Sequence, residues 1–128
     1  AIVTREKMRI EFNEEKKVIT ISTPGKNTVE ISDDDKHIKL TDQNKNEIVM
    51  NSSRISLSSA KDITLKAKGA ITIEATSKIN ATAKQDVSLE GLNVKMEAKV
   101  SATVKGNAKA ELSASGQTTV KGAMVMIN

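Results

Sequence analysis

The sequence predicts an all-β fold of short, half-buried strands whose apolar face must be covered from outside its own unit, and three observations carry the prediction. The first is a repeat. Between Ile55 and Gly122 a pair of apolar residues two apart, followed two residues later by a small one, recurs nine times. The second is composition: one Phe and no Trp or Tyr among 128 residues is too little bulk for an ordinary globular interior. The third is that each unit is too thin to fold alone. Two apolar side chains and one small one per eight residues do not offset the entropy of ordering the segment, so the buried face needs material from elsewhere.

The repeat units are Ile55-x-Leu57-x-Ser59, Ile63-x-Leu65-x-Ala67, Ile71-x-Ile73-x-Ala75, Ile79-x-Ala81-x-Ala83, Val87-x-Leu89-x-Gly91, Val94-x-Met96-x-Ala98, Ala102-x-Val104-x-Gly106, Ala110-x-Leu112-x-Ala114 and Thr118-x-Val120-x-Gly122. The step is eight residues throughout, apart from one step of seven between the fifth and sixth units. Spacing by two is the period of a strand, with alternate side chains on one face. The intervening Ser56, Thr64, Thr72, Asn80, Ser88, Lys95, Thr103, Glu111 and Thr119 then form the outward face. Val94 to Ala114 is rich in Ala, Lys and Glu, all good helix formers. Unbroken alternation through Val94, Met96, Ala98, Val100, Ala102 and Val104 decides for strand.

A small residue at fixed phase marks a close approach or a corner. The predicted inward set is Ile55, Leu57, Ile63, Leu65, Ile71, Ile73, Ile79, Val87, Leu89, Val94, Met96, Val104, Leu112 and Val120, with Ala67, Ala75, Ala83, Gly91, Ala98, Gly106, Ala114 and Gly122 at the small positions. If three chains wind about one axis, the inward faces cover each other and every strand edge finds a neighbour.

Before the repeat, the pairs Ile10/Phe12, Ile19/Ile21, Val29/Ile31, Ile38/Leu40 and Ile48/Met50 follow at steps of nine, ten, nine and ten, with seven more to Ile55/Leu57. Turn-formers separate them: Asn13 to Lys17, Pro24 to Asn27, Asp33 to Lys36 and Gln43 to Asn46. These predict longer strands with true turns in a wider base, residues 1–53, that narrows into the octad region, 54–122, and an apolar end, 123–128. Ala1 opens the chain without a Met, as expected of a piece of a longer protein.

Charge differs along the chain. Residues 1–57 balance ten Lys or Arg against ten Asp or Glu, so the net +4 lies on the remainder. This is read as a solvated face in which Lys guards strand edges. No aromatics interleave the basic residues, which argues against nucleic acid. No apolar run approaches the roughly 18 residues that span a bilayer.

Candidate chemistry is sparse. Asp33, Asp34, Asp35 and His37 lack the ligand spacing of a calcium loop and read as a polar turn. Asp62, Glu74, Asp86, Glu90, Glu97 and Glu111 recur on the outward face without a cleft or a sugar-stacking aromatic. Ser and Thr are many, but the one His is remote from most of them. The expectation is therefore no catalytic residue, no metal and no cofactor. Cysteine is absent, which removes disulfides and thiolate metal sites.

The octad of aliphatic, x, aliphatic, x, Gly or Ala, with Thr23 to Ile31 before it and Val120 to Asn128 at its end, resembles the central-spike family of contractile tails, which includes the phage baseplate spike and VgrG of type VI secretion. The resemblance covers essentially the whole chain. It implies an intertwined homotrimeric triple-stranded β-helix, a prism-like needle that punctures membranes and transmits thrust without being an enzyme. It further implies a tail tube on the N-terminal side through an upstream portion and transient contact with a target membrane. The protein would be assembled in a bacterial cytoplasm and ejected, or carried in a phage tail. In that family the apolar end, here Gly122, Ala123, Met124, Val125, Met126, Ile127 and Asn128, is the platform for a PAAR-type tip protein or an effector. Some phage spikes hold a metal there through histidines, but no histidine follows His37. The competing readings are a trimeric phage-tail glycan hydrolase or lyase and a single-chain β-solenoid scaffold.

Overall fold

The computed structural model describes residues 1–128 and contains strands, turns and bends but no helix. It comprises two units, Ala1–Ile73 and Glu74–Asn128. The first holds seven strands: β1 (Ile2–Val3), β2 (Arg9–Asn13), β3 (Val18–Ser22), β4 (Thr28–Ser32), β5 (His37–Thr41), β6 (Glu47–Met50) and β7 (Ile55–Ser58). They form one open antiparallel sheet in sequence order.

Each apolar pair from Ile10/Phe12 to Ile55/Leu57 lies in a strand, and the register sets every pair opposite the next. One ladder runs through Phe12, Ile19, Ile31, Ile38, Met50 and Ile55; the other runs through Ile10, Ile21, Val29, Leu40, Ile48 and Leu57. Because the side-chain period is two, both ladders stand on one face, and a slip of one residue would exchange them for the polar set. The uneven steps in sequence follow from the turns. Five-residue connections (residues 4–8, 23–27 and 42–46) alternate with four-residue ones (14–17, 33–36 and 51–54). The last step shortens to seven because the final turn begins directly after Met50, with no polar residue added on either side.

The turns repeat chemically as well. In the longer ones the first residue's side-chain oxygen accepts the amide of the fifth: Thr4 Oγ1 from Met8 at 3.1 Å, Thr23 Oγ1 from Asn27 at 3.3 Å, Asp42 Oδ1 from Asn46 at 2.8 Å. In the shorter ones Asn13, Ser32 and Asn51 accept amides of the turn that follows, from Lys16, Asp35 and Arg54. Five lysines, Lys7, Lys17, Lys26, Lys36 and Lys45, hold the left-handed backbone conformation at the fourth residue of the first five of these six hairpin turns, with φ between 53° and 70°. Glycine is the usual occupant of that position. A lysine there costs on the order of 1 kcal/mol, while Gly25, beside Lys26, has a negative φ. These positions recur every 19 residues at each end of the strands, one repeat per pair of hairpins.

Asp42 accepts from the backbone and side-chain nitrogens of both Asn46 and Asn44. These bonds, those from Asn46 foremost, hold its carboxyl below the ordinary aspartate value of 3.8. A depressed folded-state value contributes stability that is present above the unfolded value and is lost as pH falls through the folded one. Asp42→Asn is therefore expected to lower the melting temperature at neutral pH and to flatten the acid limb of the melting-temperature profile. An unchanged acid limb in the variant would contradict the assignment.

No apolar side chain in the chain is buried; the one buried residue is Ser32, at 4% exposure. Even inside the sheet, Ile31, Ile38, Leu40, Ile48 and Met50 remain exposed, while Thr20, Glu30, Lys39 and Thr41 on the opposite face are half-buried. A single layer with its apolar face open lacks the second layer that a stable domain requires.

Beyond Ser58 the chain makes no strand pairing. Two-residue bends fall at 60–61, 68–69, 76–77, 84–85, 92–93, 99–100, 107–108, 115–116 and 123–124. Each follows directly on the small residue of a repeat unit, and the one seven-residue step appears between the bends at 92 and 99. The intervening segments contain neither turn nor helix. The ion pairs Lys95–Glu97 at 3.0 Å and Lys109–Glu111 at 2.6 Å join residues two apart, which share a face only where the backbone is extended. The octad units thus bend at the predicted corners, but after the first of them the expected half-buried strands are absent, since the single chain offers them neither a ladder partner nor cover.

Candidate interaction surfaces

Three features of the chain are uncovered by the rest of it: the apolar sheet face, the unpaired octad backbone and the apolar C-terminal end.

On the sheet, Ile21, Val29, Leu40, Ile48, Leu57 and Ile63 line an open groove of about 620 Å³. Leu57 and Ile63 of the predicted inward set are thereby brought against the ladder of the base. The antiparallel register is what gathers these side chains, and nothing from the same chain covers them.

All fourteen predicted inward residues are exposed, from 49% at Ile71 to 81% at Val104. The eight small positions are exposed too. From Ile63 onward no backbone amide or carbonyl takes part in an intrachain hydrogen bond. Water satisfies such groups on an isolated chain, but burying them requires a partner that supplies donors and acceptors in strand geometry. At three small positions the chain doubles back tightly. A Cβ at Gly106 would overlap the carbonyl oxygen of Lys109, and one at Gly91 or Gly122 would lie 3.3 or 3.1 Å from the carbonyl of Asn93 or Met124. Close approach at the corner excludes a side chain at Gly106, while at Gly91 and Gly122 a methyl would ask only a small shift of the neighbour; no glycine has a positive φ. Leu92 and Val100, 100% and 97% exposed, are apolar side chains at corners otherwise occupied by polar or small residues and by Met124.

At the end of the chain, Gly122, Ala123 and Asn128 are exposed, and Met124, Val125, Met126 and Ile127 are 50–92% exposed around the last bend. They form a chargeless patch, with Lys121 the nearest ionic residue in sequence.

On the polar face the structure adds what the sequence reading did not contain. His37 opens β5 and its Nε2 lies 2.5 Å from Glu30 Oε2 of β4. With Asp35 in the intervening turn, one ligand atom from each of the three residues lies within 4.8 Å of the others. Glu30 and His37 sit seven apart in sequence and diagonal across paired strands, a juxtaposition that only the register reveals. Asp33 and Asp34, grouped with His37 on sequence proximity, are not part of this cluster.

No protein-family model and no curated protein matches the chain.

Proposed function

We propose that this chain is the β-helical needle of a contractile injection spike, an intertwined homotrimer that punctures a target envelope and carries a tip protein or effector on residues 122–128. The observation that carries the reading is the octad region itself, with nine corners at the predicted phase, alternating apolar side chains and no intrachain pairing. A single-chain solenoid would stack each unit on the next through its own ladder, and no such ladder is present in residues 59–128. Three chains wound together supply each straight segment with neighbours on both edges and cover the inward side chains, leaving Lys95–Glu97 and Lys109–Glu111 outside. Closed ladders leave few edges to fray, so thrust applied along the axis reaches the tip without buckling. The base contributes its uncovered apolar face to the same association. Uncovered apolar residues at the C-terminal end have the character of a docking patch, and the lack of charge there suits an apolar underside on the partner.

Hydrogen exchange on the intact protein tests the pairing. Amides between Ile63 and Gly122 are expected to be strongly protected although the single chain offers them no acceptor. Exchange at the rate of an unfolded peptide across this stretch would contradict interchain pairing and the needle built on it.

A further inference from the structure

We propose that Glu30, Asp35 and His37 form a binding site for one divalent transition-metal ion per chain, with Zn²⁺ the best-matched occupant. The site does not depend on the oligomeric reading, because all three ligands come from one hairpin.

The donor set selects the ion class. One imidazole nitrogen with two carboxylates suits zinc and its neighbours, whereas calcium and magnesium favour shells of oxygen alone. Geometry brings the donors together on rigid elements. Glu30 on β4 and His37 on β5 project from the same face of paired strands, and Ser32 stands directly opposite His37. Asp35 lies in the connecting turn, whose backbone is fixed where the Asp35 amide donates to Ser32 Oγ at 3.0 Å. Ser32 is the one buried residue of the chain, so the turn is anchored on a side chain shielded from solvent. The His37 and Glu30 side chains are 19% and 33% exposed, leaving room for solvent to complete a four-coordinate shell.

Charge balance gives a separate reason for a cation. In the register Glu30 faces Lys39, the residue that would neutralise it. The Lys39 ammonium instead lies 3.5 Å from Glu47, and Arg9 is engaged by Glu11. Glu30 has only the His37 ring as an ionic partner, and Asp35 has none. Two carboxylates therefore converge on the imidazole with no lysine or arginine paired to either of them. An ion seated between Nε2 and Oε2 needs these atoms about 3.3 Å apart for bonds near 2.0–2.1 Å at a tetrahedral angle. A small rotation of the flexible Glu30 side chain supplies that opening. The bound ion would tie β4, its turn and β5 into one unit and so stiffen the base.

The test uses Co²⁺ and Zn²⁺ alone, added to the metal-stripped 128-residue chain. Titration with Co²⁺ is expected to give visible absorption bands of a tetrahedral or five-coordinate nitrogen–oxygen site, saturating at one ion per chain, and Zn²⁺ should displace it. Since His37 is the chain's one histidine, its imidazole proton resonances report the site directly: Zn²⁺ should shift them in the unaltered protein. His37→Asn and Glu30→Gln should each weaken binding at least tenfold, with Asp35→Asn as a third variant whose side chain lies in a turn and not in a strand. Imidazole resonances unmoved by saturating Zn²⁺, or ion binding of equal strength in folded His37→Asn, would overturn the proposal.

Discussion

A chain carrying Val104→Asp is expected to yield no assembled species of three chains. Val104 lies in the alternating phase of its octad, 81% exposed in the isolated chain, and in the proposed needle it meets its two symmetry mates at the axis. Assembly would then bring three carboxylates together in an interior with no cation to pair them. Leaving even one buried charge unpaired costs about 3–5 kcal/mol, and three at one level repel each other besides. Leu65→Asp makes the same test nearer the base. The informative control is Thr103→Asp, one residue away on the outward phase, which should assemble normally because its carboxylate stays in water. The readouts are size-exclusion elution with light scattering and, in a firing particle, delivery into target cells. A correctly sized trimer from Val104→Asp, or equal damage from Thr103→Asp, would count against an interior set by the period of two.

The second large effect is expected at a corner. Gly106→Ala should lower the melting temperature, because the added methyl has nowhere to go against the Lys109 carbonyl, which belongs to the backbone and cannot swing aside. Relieving such an overlap by backbone shifts costs about 1–3 kcal/mol, repeated in every chain of an assembly. Gly69 and Gly116, which occupy bends with nothing within 4 Å of a built Cβ, make the contrast. Gly69→Ala and Gly116→Ala should be neutral or stabilising by about 0.4–1 kcal/mol, since they restrict the unfolded chain. Thermal unfolding of the three variants under one set of conditions checks this, and equal losses at all three sites would refute the corner geometry.

Much of this architecture is legible in the residues because the alternation is strong. Ile10/Phe12 through Ile48/Met50 fall in β2 to β6, and the small residues from Ser59 to Gly122 each precede a bend. A strand's face depends on a local period of two, and a corner on a local small side chain, so both survive without any knowledge of the rest of the fold. What escapes is register. The ladder Phe12, Ile19, Ile31, Ile38, Met50 and Ile55 depends on the alternation of four- and five-residue turns. The signal for it was present in the 19-residue recurrence of Thr4, Thr23 and Asp42 and of Lys7, Lys26 and Lys45. Lysine is not a residue one expects at positive φ, which hides that signal. The Glu30–His37 contact is hidden for the same reason: seven residues of sequence separate two side chains that the hairpin folds together. The thinness of the octads leads to the expectation that they need partners, and the structure shows no intrachain ladder beyond Ser58.

The central claim is that this chain completes its fold only with two others. The most direct measurement is its mass in solution by light scattering across a dilution series. The account predicts three times the 13.8 kDa of one chain, unchanged on dilution and eluting early because the particle is elongated. A folded, monodisperse monomer of 13.8 kDa would contradict it and return the octads to a single-chain scaffold.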